Sequence, residues 1–390
     1  MLIPSGRGVT EMAHAYTPGL RVTRQAEIEK ERILPLKGNV EVKVGDHVTA
    51  DTIVAKTELP GSVTIVNVMG LLGSEADEVP ELMLKQPGEK IKKDEVIAET
   101  KPLLPFLKFL VSRVKSPIDG SVEKVSEVTG QVILREPPQP VIVKAYVDGI
   151  VTEVFPDEGV KVKATATFIQ GIFGVGGETS GDIVVAVDNP GEELLPEHIK
   201  PEHKGKVVVG GSYISIETIR KGIDAGLAGI ISAGMGDRDL KELLGYDLGV
   251  AITGHEDIGT TLVITEGFGR IDMAHRTFAL LKEREGLRAS ISGATQIRAG
   301  VIRPEIIIAL PENLISTEEE AATKAEDGVK GGDPVRIIRE PNFGKLGKVK
   351  RLIPELMVME SETKVRVMEV TLADGTDFIV PRANVEIIED

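Results

Sequence analysis

The chain has 390 residues and a formal net charge of −15, a length that accommodates about two to four domains. It contains no Cys and no Trp, which excludes disulfides, thiolate zinc sites, Cys-ligated clusters and Cys nucleophiles. Aromatic residues are 3% of the chain, and the negative charge opposes broad phosphate binding, so a base-stacking or membrane-surface protein is disfavoured.

Residues 1–29 show neither a long apolar core nor a small-residue cleavage site and are expected as an N-terminal extension. The longest apolar run, Leu103 to Val111, is interrupted by Pro105 and Lys108 and is too short to span a bilayer. A cytoplasmic protein without membrane contact is expected. Missing Cys and Trp together with abundant Glu and Lys hint at a thermophile.

From residue 30 to 165 the chain repeats itself. Gly45-Asp46-His47-Val48-Thr49-Ala50-Asp51-Thr52-Ile53-Val54-Ala55 aligns without gaps to Gly88-Glu89-Lys90-Ile91-Lys92-Lys93-Asp94-Glu95-Val96-Ile97-Ala98. A second element starts strands at Gly61-Ser62-Val63, Asp119-Gly120-Ser121-Val122 and Asp148-Gly149-Ile150-Val151. Asp-Gly pairs are hairpin signals, and the alternation that follows them predicts small antiparallel β modules.

The arm from Gly88 to Lys101, followed by Ser116-Pro117-Ile118-Asp119-Gly120-Ser121-Val122, resembles the biotinyl/lipoyl-type barrel-sandwich hybrid. The resemblance implies that fold, with tandem modules over residues 30–165, and says little about function. In its carrier families a Lys stands at the tip of a tight hairpin. Here Lys101 follows Glu99-Thr100 without the Asp of the lipoyl pattern, and the apolar segment from Pro102 to Leu110 follows it. Lys56, its counterpart in the first repeat, fits no better. A non-carrier scaffold with no cofactor is expected. The electron-transfer relatives need Cys-rich clusters, which this chain cannot form.

Residues 166–205 read as a Gly-rich junction and linker, and residues 206–311 as an α/β domain. Lys206 to Ser212, Ala228 to Gly234, Gly249 to Gly254 and Thr261 to Gly267 predict buried strands running into turns, with a helix after Ser212 and others over about Asp237 to Leu244 and Asp272 to Glu285, so a mostly parallel sheet is expected. Ser212 is positioned to cap the first helix. Each strand ends in a small or Gly-rich turn, where open α/β sheets bind ligands. Gly210, Gly211, Ser212, Ser232, Gly234, Thr253, His255, Glu256, Thr265 and Glu266 therefore form a candidate pocket for a small anionic ligand. Ordinary turn chemistry explains the same glycines, and neither G-x-x-x-x-G-K-[ST] nor G-x-G-x-x-G is present. His198 and His203, five apart in the linker, do not match a zinc spacing, and no metal is expected. Arg298 and Arg303 in the next hairpin could meet an anion or face solvent.

After an acidic linker at 312–332, residues 333–390 predict a small barrel. Gly332-Asp333-Pro334-Val335-Arg336-Ile337 with Gly347-Lys348-Val349 resembles the KOW motif of SH3-like domains. That resemblance implies contacts to ribosomes, RNA polymerase or RNA. Lys345, Lys348, Lys350 and Arg351 are the candidate phosphate contacts. Yet the module has nine Lys and Arg against eleven Asp and Glu, a net of −2. Phosphate contacts supply most RNA affinity, so nucleic acid is an unfavoured partner and protein contact the favoured one.

The expected fold class is thus multidomain, β plus α/β. The expected function is a non-enzymatic scaffold or adaptor binding protein partners through its β modules. An enzyme or small-ligand sensor at the glycine-edged pocket and an RNA- or polymerase-associated factor are the alternatives. No residue pattern names a reaction.

Overall fold

A computed structural model describes residues 20–101, 111–245, 256–295, 302–316, 330–337, 345–358, 364–372 and 375–387. The chain is multidomain and mostly β, with several sheets. Among the described residues the largest sheet has thirteen strands. Its middle is parallel: Glu178–Val185, Val207–Val209, Gly229–Met235 and Thr261–Phe268 lie side by side with the same direction. Val207, Val208 and Val209 are fully buried, as β-branched residues become when helices cover both faces of a parallel strand. On the other flank the sheet turns antiparallel through Arg288–Ser292, Glu305–Ala309 and the long strand Gly159–Gln170.

Gly159–Gln170 joins two cores. Val160, Val162, Ala164, Ala166 and Phe168 point into the N-terminal core with Ile28, Val54 and Val151. Ile169 points into the central core with Ile183, Ile230 and Leu262. Period-two alternation lets one strand serve both.

The sheet absorbs segments that local sequence assigns elsewhere. Val22–Ile33, which begins in the expected N-terminal extension of residues 1–29 and runs past its end, pairs with Gly159–Gln170 along most of its length. Phe173–Val175 and Glu178–Val185, within the expected Gly-rich junction, are strands of the same sheet. Gly174 permits this, because a Cβ there would lie 2.8 Å from the Gly293 Cα. Ser215, rather than Ser212, caps the helix Ile216–Ala225 by accepting from the Thr218 N–H. Residues 246–255 and 296–301, with the expected strand at Val250 and with Arg298, lie outside the described residues.

The two repeats are nested, not tandem. Ile53–Leu59 and Gln139–Lys144 pair antiparallel, and residues 63–135 are inserted between them with their own core of Val68, Val79, Ile97, Val122 and Leu134. Each repeat closes on its Asp-Gly strand in the same way. The Gly45 N–H donates to the Val151 carbonyl (2.8 Å) and the Val151 N–H donates to the Asp46 carbonyl (3.0 Å). The Gly88 N–H donates likewise to Val122 (2.7 Å), and the Val122 N–H donates to Glu89 (3.0 Å). The carboxylates of Asp148 and Asp119 then accept from the N–H groups of Ala50 (2.6 Å) and Lys93 (2.9 Å). Gly61-Ser62-Val63 has a different place, opening an edge strand, Val63–Asn67, of the nested sheet.

Among the described residues the C-terminal module is one five-stranded antiparallel sheet in the order Asp377–Pro381, Lys364–Leu372, Leu346–Val358, Pro334–Ile337, Val385–Ile387. Its core holds Val335, Ile337, Val349, Met368 and Val370. No helix among the described residues is long and apolar enough to cross a membrane.

The matching closures predict matching sensitivity. A Cβ at Gly120 would lie 2.0 Å from the Arg135 carbonyl oxygen, and one at Gly149 2.4 Å from that of Lys163. Gly120→Ala and Gly149→Ala should each destabilise by at least about 1 kcal/mol. Chemical denaturation checks this, and hydrogen exchange should localise the first loss to residues 63–135 in Gly120→Ala and to the surrounding module, at the strand Gly149–Phe155, in Gly149→Ala.

Candidate functional site

The strand ends of the parallel sheet are closed by the chain itself. A Cβ at Gly210 would lie 2.7 Å from that of Leu194, at Gly211 2.3 Å from the Glu192 oxygen, and at Gly234 2.1 Å from the Gly269 oxygen. Gly210 therefore admits the Leu194 side chain, and Gly211 and Gly234 admit neighbouring backbone, rather than a ligand. Ser212 Oγ donates to the Gly191 carbonyl (2.9 Å). Ser232 Oγ is buried, with the carbonyls of Gly211 and Gly234 at 3.5 and 3.4 Å. Thr265 Oγ1 is buried without a partner among the described residues, and Glu256 is half-buried. Thr253 and His255 lie outside the described residues.

Glu266 carries charged contacts at its carboxylate. Its Oε1 accepts from the Ala274 N–H (3.1 Å), at the start of the helix His275–Glu283. Its Oε2 accepts from Arg336 Nη2 (2.9 Å), a side chain of the C-terminal module. Arg336 Nη1 donates to Glu386 Oε1 (2.7 Å) on the strand directly opposite. Glu386 Oε2 lies 2.7 Å from Arg303 Nη2, close enough for an ion pair but without hydrogen-bond geometry. Arg336 is 2% exposed and Glu386 1%. The pocket expected for an external anion thus receives an internal cation, and Arg303 meets a carboxylate instead of a ligand.

Sequence reasoning reached Glu266 and Arg303 but counted Arg336 and Glu386 only as charges of a small barrel. The available signal was Val335-Arg336-Ile337, a charge held between apolar strand residues. Its partners stand fifty and seventy residues away.

A second polar cluster lines a cleft of about 350 Å³ where the N-terminal module meets the large sheet. Arg32 donates both Nη atoms to Glu178 (2.9 and 2.7 Å) and its Nε to the Lys144 carbonyl (2.8 Å). Lys144 Nζ donates to Asp51 Oδ1 (2.9 Å). Arg288 donates to Asp51 Oδ2, and to Ser180 Oγ at 2.8 Å. The hydrogen bond from Lys144, with the nearby Arg288, holds the Asp51 carboxyl below its usual range. Tyr146 is buried beneath Arg32, with φ of +71°, a backbone region costly for any side chain but glycine. Its hydroxyl donates to Glu305 Oε1 (3.2 Å), which Lys30 also contacts at 2.6 Å. Burial, reinforced by Glu305 and Glu178, pushes the phenol well above its usual pKa.

The other candidates resolve into local contacts. Lys350 donates to Glu369 (3.0 Å) and Asp377 (2.5 Å), and Arg351 to Glu369 (2.5 Å). Lys345 and Lys348 are exposed. Lys56 pairs with Glu41 (2.9 Å) and Lys101 with Glu81 (2.6 Å). His198 and His203 each accept a backbone N–H through Nδ1 in two successive Pro-Glu-His turns. Among the described residues no group of three or more His, Asp or Glu is placed to hold a metal ion.

No family model matches the chain, and no curated protein does. Its functional reading therefore rests on this chemistry.

Two outcomes follow from the buried groups. Arg336→Met strands two buried carboxylates and should destabilise by about 3–5 kcal/mol. Adding Glu266→Gln and Glu386→Gln should recover part of that loss in a denaturant titration. For Tyr146, the fold favours the neutral phenol. Its contribution is complete below the ordinary value of about 10 and is lost as pH rises toward the raised one. The alkaline decline in stability should flatten in Tyr146→Phe, measured by denaturation across that range.

Proposed function

We propose that the chain is a non-enzymatic cytoplasmic scaffold or adaptor that binds protein partners through its β modules. In this reading the nested N-terminal repeats are barrel-sandwich hybrids. The parallel region belongs to an α/β domain, and the C-terminal sheet is an SH3-like KOW module. The observation that carries it is the insertion of Arg336 onto Glu266. The most ligand-like position of the parallel sheet serves to hold one module against another. Charge at the cleft is spent in the same way, since Arg32 takes Glu178 and Lys144 takes Asp51.

The same facts weigh against the alternatives. An anion binding at Glu266 would have to displace a buried guanidinium and leave that carboxylate uncompensated. An RNA contact through the C-terminal module would compete with carboxylates already bound to Lys350 and Arg351. Lys345 and Lys348 of that group are exposed, with no such pair among the described residues.

The test joins two measurements on the full chain. A thermal-shift panel of metabolites, nucleotides and cofactors should leave the Tm unchanged, and affinity capture from the native host should retain specific proteins. A ligand shift abolished by Glu266→Gln would overturn the adaptor reading in favour of a sensor. RNA binding with a steep salt slope that falls in Lys345→Ala and Lys348→Ala would overturn it in favour of an RNA factor.

A further inference from the structure

An adaptor needs a place to hold its partner, and one sheet edge has the chemistry for it. Gln139–Lys144 is an outer strand of a three-stranded sheet and pairs only with Ile53–Leu59 among the described residues. Pro140 has no N–H to give that ladder. In an antiparallel pair alternate residues bond inward, so Val141 and Val143 face Thr57 and Ala55 while both backbone groups of Ile142 point outward. Lys144 shows the outward direction directly, because its carbonyl accepts from Arg32 Nε on that side.

Edges of this kind are ordinarily blunted by a charge, a proline or a bulge. This strand carries them at its ends, with Pro140 at one and Lys144 and a register shift after Val143 at the other, and leaves the short stretch Val141-Ile142-Val143 between them without charge or proline, where Ile142 is 53% exposed. The strand also forms one wall of the 350 Å³ cleft, through Ile142, Val143 and Lys144, with Glu178, Thr179 and Ser180 opposite. A recess with a second wall from the same chain admits a single extended segment more readily than the folded edge of another module. Its charged groups are already matched, Arg32 with Glu178 and Lys144 with Asp51, so nothing in it calls for a charged guest.

We propose that this cleft binds an extended, uncharged, β-branched segment of a partner protein, added as a further strand beside Gln139–Lys144. The ladder would run through the N–H and carbonyl of Ile142 and stop at Lys144, whose carbonyl Arg32 occupies. This inference rests on the adaptor reading and names the form of its partner.

The experiment selects a random linear peptide library against the full-length protein. Uncharged β-branched sequences should be enriched, and hydrogen exchange should show the Ile142 amide protected when they bind. Ile142→Pro removes the central N–H and should weaken the selected peptides by about tenfold. Ile142→Lys keeps the N–H but adds a blocking charge at an exposed position, and it should weaken them as well. Peptides that bind both variants as well as the parent, or that protect other strands, overturn the proposal. So does displacement of the peptides by inorganic phosphate, which would mark an anion site, or a dimer that forms through this edge. An empty selection while native proteins are still captured overturns strand addition and leaves the adaptor standing; an empty selection with no captured protein removes both.

Discussion

A guanidinium cannot be taken out of water without carboxylates to meet it, and Arg336 is 2% exposed. It lies between Glu266 of the large sheet and Glu386 of its own module. Glu266 in turn accepts from the first turn of the helix His275–Glu283, and Glu386 reaches Arg303. The chain of contacts joins positions 266, 274, 303, 336 and 386. Each member is stable only while the others stay in place, which fixes the C-terminal module where it sits.

The N-terminal junction follows the same physics with more water. Arg32 bridges Glu178 and the Lys144 carbonyl, and Asp51 takes both Lys144 and Arg288. Beneath them Tyr146 is held in a left-handed backbone conformation that its burial and its bond to Glu305 must offset. At both junctions ionic side chains reinforce the joining, which at the N-terminal one also runs through the shared strand Gly159–Gln170, and each module keeps a hydrophobic cluster of its own. That division explains why so few charged groups at these places remain for an external ligand.

Local pattern carried much of the fold. Val207–Val209 and Gly229–Met235 are apolar runs bounded by turns, and Asp237–Leu244 has a helical stripe; the structure has those elements there. The candidate site was half legible. Glu266 stands out beside a glycine at a strand end, yet what reaches it is an arginine seventy residues on. The cap expected at Ser212 is made by Ser215, because Ser212 Oγ donates instead to the Gly191 carbonyl.

By itself the sequence determined the Asp-Gly turns, the buried strands and the exclusion of thiol chemistry, because these depend on residues within a few positions of one another. Tertiary structure alone decided that one repeat lies inside the other, that residues 166–185 join the large sheet, and that Glu266 is occupied. Those outcomes depend on pairing across long stretches of chain, where any strand edge or carboxylate has many partners of equal local merit. Packing chooses among them, as where it buries Arg336 with both of its carboxylates.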